Sequence, residues 1–142
     1  GGWMNENIIS KIKDQKSKNK IIMTGYVPDE DVPYLIAGAK VYILPSLYEG
    51  FGIPAIEAMA TGVPVVVSKT SCLPEVCGDA AIYIDDPTSV ASIKDALEKV
   101  LSLNPTQRQK RIDLGLEWVK RYNWKDTAEK TLKVLKEVAN ES

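Results

Sequence analysis

The sequence contains no histidine, only two cysteines and a single phenylalanine in 142 residues, and its 18 Lys and Arg against 19 Asp and Glu leave a net charge of −1. The missing histidine removes the commonest general base and the commonest metal ligand together. Any catalytic triad has to be built from other groups. Cys72 and Cys77, close in sequence and without a His neighbour, are a poor metal site and a poor disulfide framework. They read as buried thiols. The charge balance provides no clustered basic excess of the kind that phosphate-backbone binding requires, which argues against a nucleic-acid binder. No apolar run approaches the ~20 residues of a membrane span, and the first residues lack the charged, oily and small-residue succession of a signal peptide. A cytoplasmic location is the expectation.

What is present suits one compact domain. With 44% hydrophobic residues the chain can bury a real core, and its length falls in the usual ~100–150 residues of a domain. A single domain is therefore expected over residues 1–142. "NENIISKIKDQ" places Ile8, Ile9 and Ile12 at helical spacing, and "KIIMTG" is an apolar run with a glycine stop, read as a strand. "DEDVPYLIAGA" predicts a helix that starts at acidic residues, keeps Val32, Leu35 and Ile36 on one side and ends near Gly38. "KVYILPS", "VPVVVS" and "AAIYIDD" read as strands, the second apolar throughout, as in a parallel sheet buried on both faces. Between the first two, "PAIEAMATG" has Pro54 in its first turn and Gly62 just past its last. C-terminal helices are expected at roughly residues 88–103, 105–121 and 125–139, with breaks at Pro105 and near Asn123. This alternation implies an α/β fold, a Rossmann-like doubly wound parallel sheet with helices on both faces. Ligands of such sheets bind beyond the carboxyl ends of the strands, which makes the loops after Met23, Leu44 and Val67 the candidate site.

The middle loop and its helix, "YEGFGIPAIEAMATGVPV", hold Glu49 and Glu57 among glycines and apolar residues. Glu57 is the only charge of its helix. A helix that is apolar nearly all round is expected to be buried, where a carboxylate must find partners or protonate. Gly50 and Gly52 let the backbone approach a ligand, and the amides of Ile53, Ala55 and Ile56 at the helix start offer an anion site aided by the helix dipole. A phosphate fits there. Glu57 would repel it, which assigns Glu57 to neighbouring hydroxyls, as acidic residues hold ribose in dinucleotide folds. Glu49 then faces what lies beyond the phosphates. Composition equally allows a Glu57 that caps a buried backbone group and a solvated Glu49.

"PSLYEGFGIPAIEAMATGVPVV" resembles the signature of the group 1 glycosyltransferases, glycosyltransferase family 4, whose two glutamates share the separation of Glu49 and Glu57. "GYVPDEDVPYLIAGAKVYILPS", "LPEVCGDAAIYIDDP" and "YNWKDTAEKTLKVLKE" are similar to further blocks of that family in the same order, so the likeness runs through nearly the whole chain. The resemblance implies half of a GT-B architecture, the C-terminal domain that binds a nucleoside diphosphate sugar. It implies that Glu57 takes the ribose hydroxyls and that Glu49 is the catalytic residue beside the donor sugar and diphosphate. Gly50, Phe51, Gly52 and Ile53 would offer amides to sugar and phosphates, with Tyr26, Val27 and Pro28 bordering the base. It further implies a retaining hexosyl transfer in which the donor diphosphate assists the acceptor, without metal or cofactor. The acceptor, a sugar or lipid, and any peripheral membrane contact would belong to an N-terminal domain that has no counterpart here.

The family's diphosphate-clamping Arg and Lys also lack counterparts, since "GGWMNENI" reads as starting just after a strand. Donor binding by the chain alone is therefore expected to be weak and the isolated chain inactive. Lys69 reads as a solvated surface lysine more readily than as a partial substitute for those cations. Asp29 to Asp31 reads as a helix N-terminus in preference to a metal-binding Asp-x-Asp, because the acids complement the helix dipole. Glu75 reads equally as a site contact or a structural terminus, and Asp85 and Asp86 as a turn before a helix. Trp118, Tyr122 and Trp124 read as core packing more readily than as a base-stacking platform, with some apolar surface left exposed and prone to association. Two rival readings are a non-enzymatic nucleotide-sugar binding or interaction module and a related GT-B epimerase or phosphorylase.

Overall fold

β-Branched side chains crowd helices and fill pleated surfaces, and the valine run at the centre of this chain forms the centre of its sheet. The structure, a computed structural model, describes Ser10, Ile12 and residues 20–140. Three parallel strands, β1 (Tyr42–Leu44), β2 (Val65–Ser68) and β3 (Ile82–Ile84), stand in the order β1-β2-β3. The register pairs Ile43 with Val66 and Val67 with Tyr83. All four residues of β2, Ser68 included, are buried, as a central parallel strand covered on both faces requires.

Side chains alternate across the sheet and split the core into two layers. Val65 and Val67 pack with helix α2 (Ile53–Ala60), the short α3 (Leu73–Cys77) and the 3₁₀ turn Gly78–Ala80. Val66 and Ile84 pack on the other face with Ala96 and Val100 of α4 (Val90–Leu101). Helices therefore cover both faces, as the sequence pattern implies. Helix α5 (Pro105–Val119) lies against α2, where Gly115 faces the Met59 side chain, and α6 (Trp124–Asn140) ends the chain. The punctuation is as expected. Asn104 and Gln107 form a reciprocal capping box ahead of α5, and Asp86 accepts hydrogen bonds from the amide and hydroxyl of Thr88 before Ser89 caps α4.

Residues cluster into two units, one running to Asp31 and the other from Val32 onward. In the first unit the expected strand at "KIIMTG" does not form: residues 21–25 have no regular structure. A strand is stabilised by a ladder partner, and among the described residues no strand pairs with this run. Ile22 accordingly remains 87% exposed. The helix expected at residues 5–15 lies outside the described residues except for Ser10 and Ile12, both helical. In the second unit α1 (Val32–Ala37) starts after the acids and buries part of Val32 and Ile36, while Leu35 is exposed. Among the described residues no helix is long and apolar enough to cross a membrane.

Trp118 and Tyr122 join the core. Their indole nitrogen and phenol hydroxyl both donate to the Val76 carbonyl, at 2.8 and 3.0 Å. The α-carbon of Gly78 lies against the Trp118 ring, where an added Cβ would stand 2.1 Å away. Trp124 departs from this cluster and is 80% exposed.

Candidate functional site

The carboxyl ends of β1 and β2 deliver two loops to one edge of the sheet. The first carries Glu49, Gly50, Phe51 and Gly52 and enters α2 at Ile53, so the structure brings these together with Glu57, one turn into that helix. Tyr26, Val27 and Pro28 belong to the other unit. There Tyr26 is exposed, Val27 is half-buried and the Pro28 carbonyl accepts the Asp31 amide at 2.9 Å.

Gly52 sets the loop-to-helix corner. Its φ of +87° is a left-handed conformation, and a Cβ there would meet Leu73 Cδ2 at 2.6 Å, so both backbone and packing demand glycine. Gly50 differs. An added Cβ would meet nothing within 4 Å, so neither packing nor a positive φ accounts for it. Pro54 has no amide hydrogen, and the Ala55 amide donates to the Gly52 carbonyl at 3.0 Å. This removes the Ala55 amide from the expected anion cradle. The first turn tightens and uses the Ala55 amide internally, and Ala55 is fully buried.

Helix α2 is also less buried than its composition implies. Ala55, Ala58 and Met59 face the core while Ile53, Glu57 and Ala60 are exposed, because small and apolar residues occupy its open face as well as its packed one. Glu57 therefore meets solvent and needs no buried partner. Glu49 is half-buried, and its carboxylate accepts the Ser46 hydroxyl at 2.6 Å. Both carboxylates act on Tyr42, at the start of β1: burial first, then Glu57, then Glu49 hold its hydroxyl above the ordinary phenol range. Around this mouth Leu47, Tyr48, Phe51 and Ile53 leave apolar surface open, and the Phe51 ring meets Tyr122 edge-on at 5.7 Å.

The loop after β2 faces Glu49 directly. Ser71 accepts the Glu49 amide at 3.3 Å and donates to the Glu49 carbonyl, which also receives the Cys72 thiol at 3.2 Å. Thr70 donates to the Ser46 carbonyl at 3.2 Å. Nothing in "SKTSCLPE" signals partners 22 and 24 positions away, so the sequence alone does not mark Ser71 or Thr70. Lys69 is exposed and pairs with Asp85 at 3.8 Å, as a surface lysine should. Glu75 is exposed on α3. Cys77 is buried, and burial reinforced by Cys72 pushes its thiol up to about 11.

A groove of about 720 Å³ runs instead along α5, past Lys110, Asp113 and Glu117. Its aromatic wall is not free to stack a base: Arg121 covers the Trp118 ring at 3.4 Å and the indole hydrogen is already donated. Asp29 to Asp31 form the turn before α1, and among the described residues no group of three or more acidic or cysteine side chains is placed to hold a metal ion.

Residues 1–114 match the family described as glycosyl transferases group 1. The chain is 38% identical over 135 residues to the O-antigen chain mannosyltransferase B of Escherichia coli, covering 95% of this chain and 35% of that protein. It is 37% identical over 109 residues to the MMP alpha-(1->4)-mannosyltransferase of Mycolicibacterium hassiacum, covering 75% of this chain and 26% of the other. Among solved structures, a sucrose-phosphate synthase from Thermosynechococcus elongatus superposes with a TM-score of 0.84 at 24% identity, over 96% of this chain and 34% of that one. The fold is thus the Rossmann-like half of a GT-B architecture. The chain spans about a quarter to a third of the length of these relatives.

Proposed function

The chain belongs to the group 1 glycosyl transferases, and from that premise we infer that it supplies the donor site of an enzyme transferring a mannosyl residue from a nucleoside diphosphate sugar with retention of configuration. The observation that carries this reading is the open mouth after β1, where an exposed Glu57 and a tethered Glu49 flank a Gly50 with free space about its α-carbon. A buried structural glutamate would have partners, and a structural glycine would have a reason in φ or packing. Glu57 is exposed, and Gly50 has neither reason.

Glu57 is free to accept both ribose hydroxyls, Gly50 admits the diphosphate or sugar to the backbone, and Glu49, fixed by Ser46, orients the sugar. The reaction breaks the bond between the anomeric carbon and the diphosphate oxygen and forms one to the acceptor oxygen on the same face. The acceptor's proton passes to the departing diphosphate. That step needs no histidine, in keeping with the composition. The mannosyl assignment comes from the names of the two relatives described above. The acceptor and the linkage are the business of the remainder of the protein.

Titration calorimetry with GDP-mannose, UDP-glucose and ADP-glucose tests the reading. One of them is expected to bind and to shift the backbone amides between Gly50 and Glu57. Binding that leaves those amides unmoved would overturn it.

A further inference from the structure

Among the described residues Ser71 is the only one other than glycine with a positive φ, +56°. A side chain disfavours that conformation, and such residues persist only where the surroundings over-determine them. What holds Ser71 there is a two-way bridge to a single residue. Its hydroxyl oxygen accepts the Glu49 amide at 3.3 Å, and its hydroxyl hydrogen goes to the Glu49 carbonyl at 2.5 Å. One oxygen thus satisfies both polar groups of the Glu49 peptide backbone. Two neighbours add to the hold, Cys72 on the same carbonyl and Thr70 on that of Ser46, whose hydroxyl in turn fixes the Glu49 carboxylate.

We propose that Ser71 is a positioning residue of the donor site, orienting Glu49 toward the donor sugar by clamping its backbone across the two strand-end loops. The proposal rests on the reading of Glu49 given above. Serine is suited to the task because it is the smallest residue that places a donor and two acceptor lone pairs on one atom. Glycine accepts the φ and lacks the hydroxyl; alanine lacks the hydroxyl and keeps the strain. The clamp also explains how an exposed seven-residue loop, 45–51, can present one carboxylate in a fixed direction: its middle is tied to a residue seated beside the buried start of α3, where Leu73 is fully buried.

The test compares wild type, Ser71→Gly, Ser71→Ala, Glu49→Gln and the Ser71→Gly/Glu49→Gln double variant of the full-length protein. Affinities for GDP and for GDP-mannose are measured separately, so that the contribution of the sugar is isolated. Ser71→Gly is expected to keep the melting temperature and the GDP affinity and to lose about tenfold in the sugar-dependent part, the scale of one released fixed hydrogen-bonding partner. Ser71→Ala loses the same factor, and the double variant loses no more than Glu49→Gln alone. If Glu49→Gln lowers the sugar-dependent affinity and Ser71→Gly does not, the positioning role is overturned and the donor site stands. If Glu49→Gln has no effect, or neither probe binds wild type, the reading of Glu49 falls and takes the positioning role with it.

Discussion

Gly52 and Leu73 pack together beside the candidate site: a methyl group on the glycine would stand 2.6 Å from Leu73 Cδ2, with the glycine held at a φ of +87°. Gly52 joins the Glu49 loop to α2, and Leu73 opens α3 behind the Ser71 loop. The corner that aims α2 at the mouth is therefore set by the absence of a side chain.

That contact makes two glycines two residues apart behave differently. Gly52→Ala combines left-handed strain with overpacking and should cost about 2 kcal/mol or more of stability. Gly50→Ala has room and should stay within about 0.5 kcal/mol of wild type. Urea unfolding measures both. In nucleotide-sugar titrations Gly50→Ala should nevertheless bind more weakly, because the added methyl occupies space that the ligand's approach requires. Undiminished binding by Gly50→Ala would count against backbone contact there.

Glu57 is exposed, and among the described residues its carboxylate has no hydrogen-bond or ion-pair partner, so Glu57→Gln should leave the melting temperature unchanged. If the carboxylate accepts the ribose hydroxyls, the same substitution should weaken GDP binding by roughly tenfold or more, since charged hydrogen bonds contribute about 1.5–3 kcal/mol each. Equal affinities in the two proteins would remove ribose from the account of this residue.

Cys77 predicts an alkaline loss of stability. Its thiol ordinarily ionises near 9 and is held up to about 11 in the folded chain, by burial first and Cys72 second. A neutral form favoured by folding contributes stability that is fully present below pH 9 and is lost as pH rises through about 11. Between those values the urea midpoint of wild type should fall more steeply than that of Cys77→Ala. Tyr83, pushed up to about 12 by burial first and then by Cys77 and Asp79, extends the decline to higher pH in both proteins. Parallel slopes would show that the thiol is not the group responsible.

Ser68 ends β2 fully buried, and among the described residues its hydroxyl has no hydrogen-bond partner. Alternation along the strand puts it on the face of Val66, toward the α4 layer and away from the mouth. Ser68→Ala should therefore raise stability, by about 1 kcal/mol, by removing a desolvated hydroxyl. A lowered urea midpoint would mean that a buried water satisfies it.

The sequence by itself determined the alternation of elements, the buried valine strand, the Pro54 and Gly62 punctuation of α2 and the pairing of Glu49 with Glu57 at one strand end, because propensity, periodicity and capping act over a few residues. It also pointed to the family, through a long run of such local features in order. Only the tertiary structure decided that Glu57 is open to solvent, since the composition of α2 does not say which of its apolar faces is covered. The unpaired "KIIMTG" run is a matter of the same kind, because a strand depends on a neighbour that no local pattern names. So is Ser71, whose strained φ and two hydrogen bonds to Glu49 exist because two parallel strands bring residues distant in the chain to the same edge of one sheet.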